Sequence, residues 1–168
     1  MGRVQQSFTN GVPGAVSRSV DEIIISVRNV SAEDIAFGAP VFLSNDGAEP
    51  FSTADPQDFS SFLGFAVRAA AKTPDEYPAG QNADAFSQQG VWKAGDVMEV
   101  LVRGSVVIRM TTAAHMGDKV YLRKSDGKLT PTAGTSGTTF ELQNVRIRNQ
   151  RDANLGTTEV VVTERNVL

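Results

Sequence analysis

The chain has 168 residues, no cysteine, one histidine and a formal net charge of −3. That length suits one domain, which at this size buries about two-thirds of the surface its extended chain exposes. Without cysteine there are no disulfides, thiolate metal sites or cysteine nucleophiles. A lone His115 excludes sites built on two imidazoles, and the weak negative charge gives no global pull toward nucleic acid or anionic lipid.

Residues 1–20 carry Arg3 and Arg18, no acid and no sustained periodicity, and their Asn10-Gly11 and Pro13-Gly14 dipeptides favour turns. They predict an extended N-terminal arm, with a single β domain over residues 21–168. No segment has the apolar stretch of a targeting signal, and apolar runs such as 23–25 and 106–108 are three residues long. A membrane span needs roughly 18, so neither membrane insertion nor secretion is expected, and synthesis is expected in the cytoplasm. Asn29-Val30-Ser31 matches a glycosylation sequon, which the same reasoning treats as chance.

Over residues 21–30, Ile23, Ile25 and Val27 alternate with Ser26 and Arg28, the period of a strand. Residues 39–44 predict a second, short strand. Residues 44–60, with Asn45-Asp46-Gly47, Pro50 and Pro56, predict a loop, as do residues 71–90, and loops of this length in a compact domain are often functional. Between them residues 62–70 read as a strand. Residues 97–103 and 105–110 read as two strands joined at Gly104. Residues 119–123 and 129–130 flank an Asp126-Gly127 hairpin turn, residues 131–139 form a loop, and 142–148 and 157–163 complete the set. Along 142–148, Leu142, Asn144, Arg146 and Arg148 fall on one face, with Gln143, Val145 and Ile147 on the other. Eight or nine strands and no convincing helix give an all-β class, a barrel or a jelly-roll-like sandwich.

The motifs with chemical meaning each fail a requirement. Gly134-Thr135-Ser136-Gly137-Thr138-Thr139 has no lysine and no following helix for a phosphate loop. Ser125-x-x-Lys128 sits on a hairpin, whereas that nucleophile pair needs one helical turn. His115 has Thr111 and Thr112 nearby but no identifiable orienting carboxylate. The loop acids (Asp46, Glu49, Asp55, Asp58, Asp75, Glu76, Asp84) match no calcium loop. Arg146, Arg148 and Arg151, extended by Arg103 and Arg109, form a basic patch without interleaved aromatics. This patch reads as an ion-pairing surface toward an acidic protein partner or as a plain solvated face. No enzyme, cofactor or metal is expected. A carbohydrate- or receptor-binding module would display aromatics on one face, and only Trp92, Tyr77 and Tyr121 are available.

The ordered phrases Pro13-Gly14…Arg18, Phe37-Gly38-x-Pro40-Val41, Phe62-Leu63-Gly64-Phe65-Ala66-Val67-Arg68 and Tyr77-Pro78-Ala79-Gly80 stand in the first half. Val100 to Ile108 around Gly104, Gly117-Asp118-Lys119-Val120-Tyr121 and Asp126-Gly127-Lys128-Leu129 follow. From about residue 11 to the C-terminus this set resembles the structural cement, or capsid decoration, proteins of tailed bacteriophages. The resemblance implies a non-enzymatic β domain on the capsid exterior, without cofactor. It would bridge neighbouring major capsid protein subunits as a homodimer or homotrimer at local two-fold or three-fold axes. The alternative is another virion β module from tail, baseplate or receptor-binding apparatus. Arg3 and Arg18 in the arm, Phe51 and Phe59 in the first long loop, and Tyr77 and Phe86 in the second are the expected contacts. The arm would supply charge and backbone, and the loop aromatics would act as anchors.

Overall fold

The computed structural model describes residues 11–52, 59–69, 90–151 and 156–166, with only the backbone at Arg18, Ser19, Val20 and Phe59. Eleven strands follow in chain order: β1 (Val16–Arg28), β2 (Ile35–Ala36), β3 (Pro40–Ser44), β4 (Gly47–Pro50), β5 (Phe62–Ala66), β6 (Val91–Trp92), β7 (Val97–Arg109), β8 (Lys119–Arg123), β9 (Leu129–Thr130), β10 (Thr139–Ile147) and β11 (Thr157–Val162). One 3-10 turn, Phe59–Ser61, leads into β5. The class is the expected all-β one. An antiparallel sheet in the order β4-β3-β5-β7-β11-β10-β8-β9 curls into a half-barrel, β1 pairs with β7, and β2 and β6 form a separate pair.

β7 organises the molecule. β1 runs along it from Val16, opposite Val106, to Arg28, opposite Val97. β5 pairs with Val100 and Leu101, and β11 with Gly104 to Arg109. The sequence reads this stretch as two strands because Gly104 interrupts it. The chain instead continues through Gly104 at φ 118°, a conformation glycine adopts without a Cβ penalty. Before it, Met98, Val100 and Val102 enter one apolar cluster while Leu101 enters the other. Beyond it, Val106, Ile108 and Met110 join Leu101's cluster. The strand turns over at this glycine, so one backbone serves two cores.

The first core holds Phe42, Phe62 and Phe65, with ring centroids 5.9 Å apart for Phe42–Phe62 and 5.5 Å for Phe62–Phe65, both edge-on. Such pairs add about 0.5–1.5 kcal/mol each beyond their buried area. The second centres on Ile35, Phe37, Leu63, Trp92 and Met98. The Trp92 indole donates to the Val67 carbonyl at 2.9 Å, so this ring lies buried in the core.

Three strands break simple alternation, and each break serves packing. In β5 the register slips at Leu63, which puts Phe62 and Phe65 in the same core. In β1 it slips between Arg18 and Ile23, opposite Gly104. In β10 it slips between Glu141 and Arg146, where Asn144 has φ 59°. The sequence pattern sets Leu142 and Val145 on opposite faces. The bulge at Asn144 instead brings both into the first core, each fully buried. Asparagine tolerates the left-handed region and β-branched residues do not. Asn144→Val should therefore lower stability by about 1–2 kcal/mol in denaturant titration, with Asn144→Gly close to neutral.

β1 begins at Val16, earlier than the pattern over 21–30 indicates. Ahead of it, the Gly14 amide donates to Val107 and its carbonyl accepts from Arg68, both at 2.8 Å. Residues 11–15 are thus tied to the domain. β4 falls inside the expected first loop and forms a hairpin with β3 around Asn45 and Asp46.

Candidate functional site

The face of the β7–β11–β10 sheet opposite the first core concentrates charge. Register sets Ser105 against Val161, Val107 against Glu159 and Arg109 against Thr157, and Arg146 lies across from Val161 on the other side of β11. Alternation adds Arg148 two residues beyond Arg146. Arg103 and Arg109 on β7, Arg146 on β10 and Arg148 just past its end therefore belong to the two segments that flank β11.

The N-terminal segment covers part of this face. Gly11 lies beside Val107, and its carbonyl accepts from the Thr157 hydroxyl at 3.2 Å. Ser17 donates to the Glu159 carboxylate at 2.8 Å, and Asn149 donates to its second oxygen. Glu159 is only 3% exposed, so these donors take the place of water, without which a buried carboxylate is costly.

Where this cover ends, a groove of about 500 Å³ opens. Among the described residues Asp21, Arg103, Gly104, Ser105, Arg148, Val161, Val162 and Thr163 line it. The turn-over at Gly104 and the bulge in β1 shape its floor. Arg103 pairs with Asp21 at 2.9 Å on the exposed rim, and such a pair contributes at most about 1 kcal/mol. Arg148 is half-buried. Its guanidinium donates to Ser105 at 3.3 Å, and it forms no ion pair among the described residues. Arg146 differs, since Glu141 lies 3.7 Å away and also pairs with Lys119 at 2.7 Å.

A second groove, about 380 Å³, runs between residues 36–40 and the segments 109–111 and 127–129. It is mainly apolar, with Arg109 and Lys128 among its lining. Arg151 lies at the same end, donating to the Met110 carbonyl at 2.7 Å. The basic patch is therefore divided between the middle of β7 and its C-terminal end.

Of the expected contact residues, Arg3, Tyr77 and Phe86 lie outside the described residues, and only the backbone is described at Phe59 and Arg18. Arg18 is opposite Ser105, a groove wall. Phe51 packs on the first core, 6.3 Å from the Phe42 ring, and touches the position a Cβ on Gly127 would take. It stands where β4, at one end of the curled sheet, meets the β8–β9 hairpin at the other. The groove walls Asp21, Ser105 and Val161–Thr163 are absent from the sequence-based contacts. Arg146 and Arg148 alternating on one strand was the available signal.

The rejected motifs are explained locally. Thr138 and Thr139 close the 134–139 turn through bonds to Thr135 and Gly134, and β10 follows. Ser125 and Lys128 flank a hairpin in which Arg123 bonds Asp126 twice, and that bonding holds the Asp126 carboxyl down at about 2. His115 is exposed, and its backbone amide donates to Asp118. Asn29 of the sequon is fully buried.

A family model described as structural cement protein (E217 gp24/Pam3 gp6) matches residues 3–163. No curated protein matches the chain. Among solved structures, a chain of the capsid of Myoviridae phage XM1 shares the fold, with a TM-score of 0.70 at 16% identity over 97% of this chain and 96% of its own. The N base of head fibre gp8.5 of bacteriophage phi29 aligns with a TM-score of 0.41 at 11% identity, over 87% of this chain and 99% of its own.

Proposed function

Since the chain belongs to the bacteriophage structural cement protein family, and is therefore a virion structural protein that stabilises the capsid, we propose that it acts from the outer surface by bridging neighbouring copies of the major capsid protein. The observation that carries this reading is the extent of the family match, residues 3–163, which takes in every strand of the β domain. The role is structural, and neither groove supplies the nucleophile, base and oxyanion donors of a hydrolytic site among the described residues.

A bridging protein needs a rigid body and contacts that reach beyond it. Pairing of β7 with β1, β5 and β11 supports the first requirement. For the second, we place the contacts in residues 1–10 with Arg3, at Arg18, and in the loops that carry Phe51, Phe59, Tyr77 and Phe86. Gly14 fixes the root of the N-terminal segment by two backbone bonds. Ten residues beyond it reach at most about 35 Å if extended. Repetition over a symmetric shell multiplies weak contacts into avidity, and binding the assembled shell better than free subunits stabilises it by mass action. The protein meets its capsid partners as a homodimer or homotrimer at local symmetry axes, and needs no nucleic acid, membrane or cofactor.

Cryo-electron microscopy of heads lacking this protein, before and after its addition, tests the reading. New density on the outer surface between capsomers is the expected result. Density confined to the interior, or no binding to heads, overturns it. Removing residues 1–10 should weaken binding to heads about tenfold, or about 1.4 kcal/mol, with the melting temperature unchanged. Unchanged affinity would remove the arm from the clamp.

A further inference from the structure

We infer that the groove between Arg103 and Arg148 receives a carboxylate side chain from an acidic, extended segment of the capsid partner. This inference rests on the capsid-binding reading above and names a surface that reading does not include. The groove presents two guanidiniums against one carboxylate, Asp21, and that carboxylate is spent on Arg103 at the rim. Among the described residues the half-buried Arg148 guanidinium has one long bond, to a neutral hydroxyl. A partly desolvated guanidinium without a counter-charge gains more from a bidentate carboxylate than an exposed one does. Glu159, across from Arg148, accepts from Ser17 and Asn149 at its two oxygens and forms no ion pair with Arg148 among the described residues.

The walls select the kind of partner. Val161 and Gly104 offer an apolar floor for the methylenes of Glu or Asp, and Thr163 stands exposed at the mouth. No aromatic lines the groove among the described residues, so bases have nothing to stack on. Two cations in a chain of net charge −3 also make a poor phosphate track. An acidic polypeptide is therefore favoured over nucleic acid. The same charge pairing sets the approach: contact at Arg148 becomes salt-sensitive, and the partner chain must pass β7 at Gly104.

The test is binding of the full chain to heads that lack it, measured by co-sedimentation at several salt concentrations. Arg148→Gln and, independently, Thr163→Glu should each weaken binding at low salt by roughly tenfold or more, with melting temperatures kept and the salt dependence flattened. Soluble poly-glutamate should displace the wild type from heads, and poly-glutamine should not. If wild type binds and both variants bind equally well, the groove is not the contact and the inference falls while the capsid-binding reading stands. If wild type does not bind heads, both fall. Binding of a duplex oligonucleotide that Arg148→Gln abolishes would assign the groove to nucleic acid and overturn the inference.

Discussion

Replacing Gly64 by alanine should leave little folded protein. A Cβ built on Gly64 would stand 2.1 Å from the Leu101 carbonyl oxygen and 2.9 Å from its carbon. Both are backbone atoms of β7, which cannot swing aside as the end of a side chain can. β5 lies between β3 and β7, and it carries Phe62 and Phe65 into the first core and Leu63 into the second. To admit one methyl group the β5–β7 pairing must open, and both cores would loosen with it. Interiors packed to crystal density transmit such displacements and do not absorb them. The expected loss is about 4 kcal/mol or more, a large share of the 5–15 kcal/mol that holds a typical domain. Soluble yield and thermal unfolding check it. A Gly64→Ala protein that melts within a few degrees of wild type would show that the two strands part more easily than their packing implies.

Asn29→Ala should cost about 2–4 kcal/mol. The Asn29 side chain is fully buried and uses both ends. Its amide donates to the carbonyls of Glu33 at 2.9 Å and Lys93 at 3.2 Å, and its oxygen accepts from the Ser31 amide at 3.1 Å and hydroxyl at 2.7 Å. Its backbone is also taken, donating to Asp96 and accepting from Gly95. One side chain thus joins the end of β1 to the following turn and to the turn between β6 and β7. Truncation opens a cavity at a fully buried position and breaks four part-buried hydrogen bonds at once. Chemical denaturation of the variant measures the loss. The same burial keeps a glycosyltransferase from the Asn29-Val30-Ser31 sequon once the chain is folded, so the physical reason for discounting it is local packing.

How far the sequence reveals this fold depends on how regular each strand is. β8 is visible because Val120 and Leu122 alternate, β9 because Asp126-Gly127 marks the turn that leads into it, and β11 because Thr157–Val162 is rich in β-branched residues. β2 and β6 have two residues each, too few to show a period. β4 is hidden because Asn45-Asp46-Gly47 marks the start of a loop as readily as a tight hairpin. β7 divides on paper at Gly104, since nothing in a linear string says that a strand can roll over on one residue. β10 is found, but with the wrong faces, because the slip at Asn144 is imposed by pairing with β8 and by the core beneath it. Where β1 starts is obscured in the same way by its bulge opposite Gly104.

The binding surface is less legible for a related reason. Five arginines in the C-terminal two-thirds of the chain signal a basic patch. That Arg103 and Arg148 share one groove while Arg109 lines the other depends on the β10–β11–β7 register, a long-range property. That among the described residues Arg148 has no carboxylate in ion-pair range while Arg103 and Arg146 have one follows from side-chain neighbours that only packing creates. Phe51 shows the opposite difficulty. Its place in a loop marks it as a surface anchor, and the curl of the sheet brings Phe42 and Gly127 to it. Part of its ring is already used within its own domain.

The long pairing of β1 with β7 has a mechanical side. Hydrogen bonds in an antiparallel ladder lie across the strand direction. Tension on the chain at residue 11, directed along β1, meets the Gly11 and Gly14 bonds first and then loads the ladder in shear, many bonds at once. A pull across the strands would open the same ladder one bond at a time. If the N-terminal segment tethers the domain to the shell, as proposed above, strain on it loads the stronger of the two geometries. The chain resists stretching best along the line on which its N-terminal segment joins the domain.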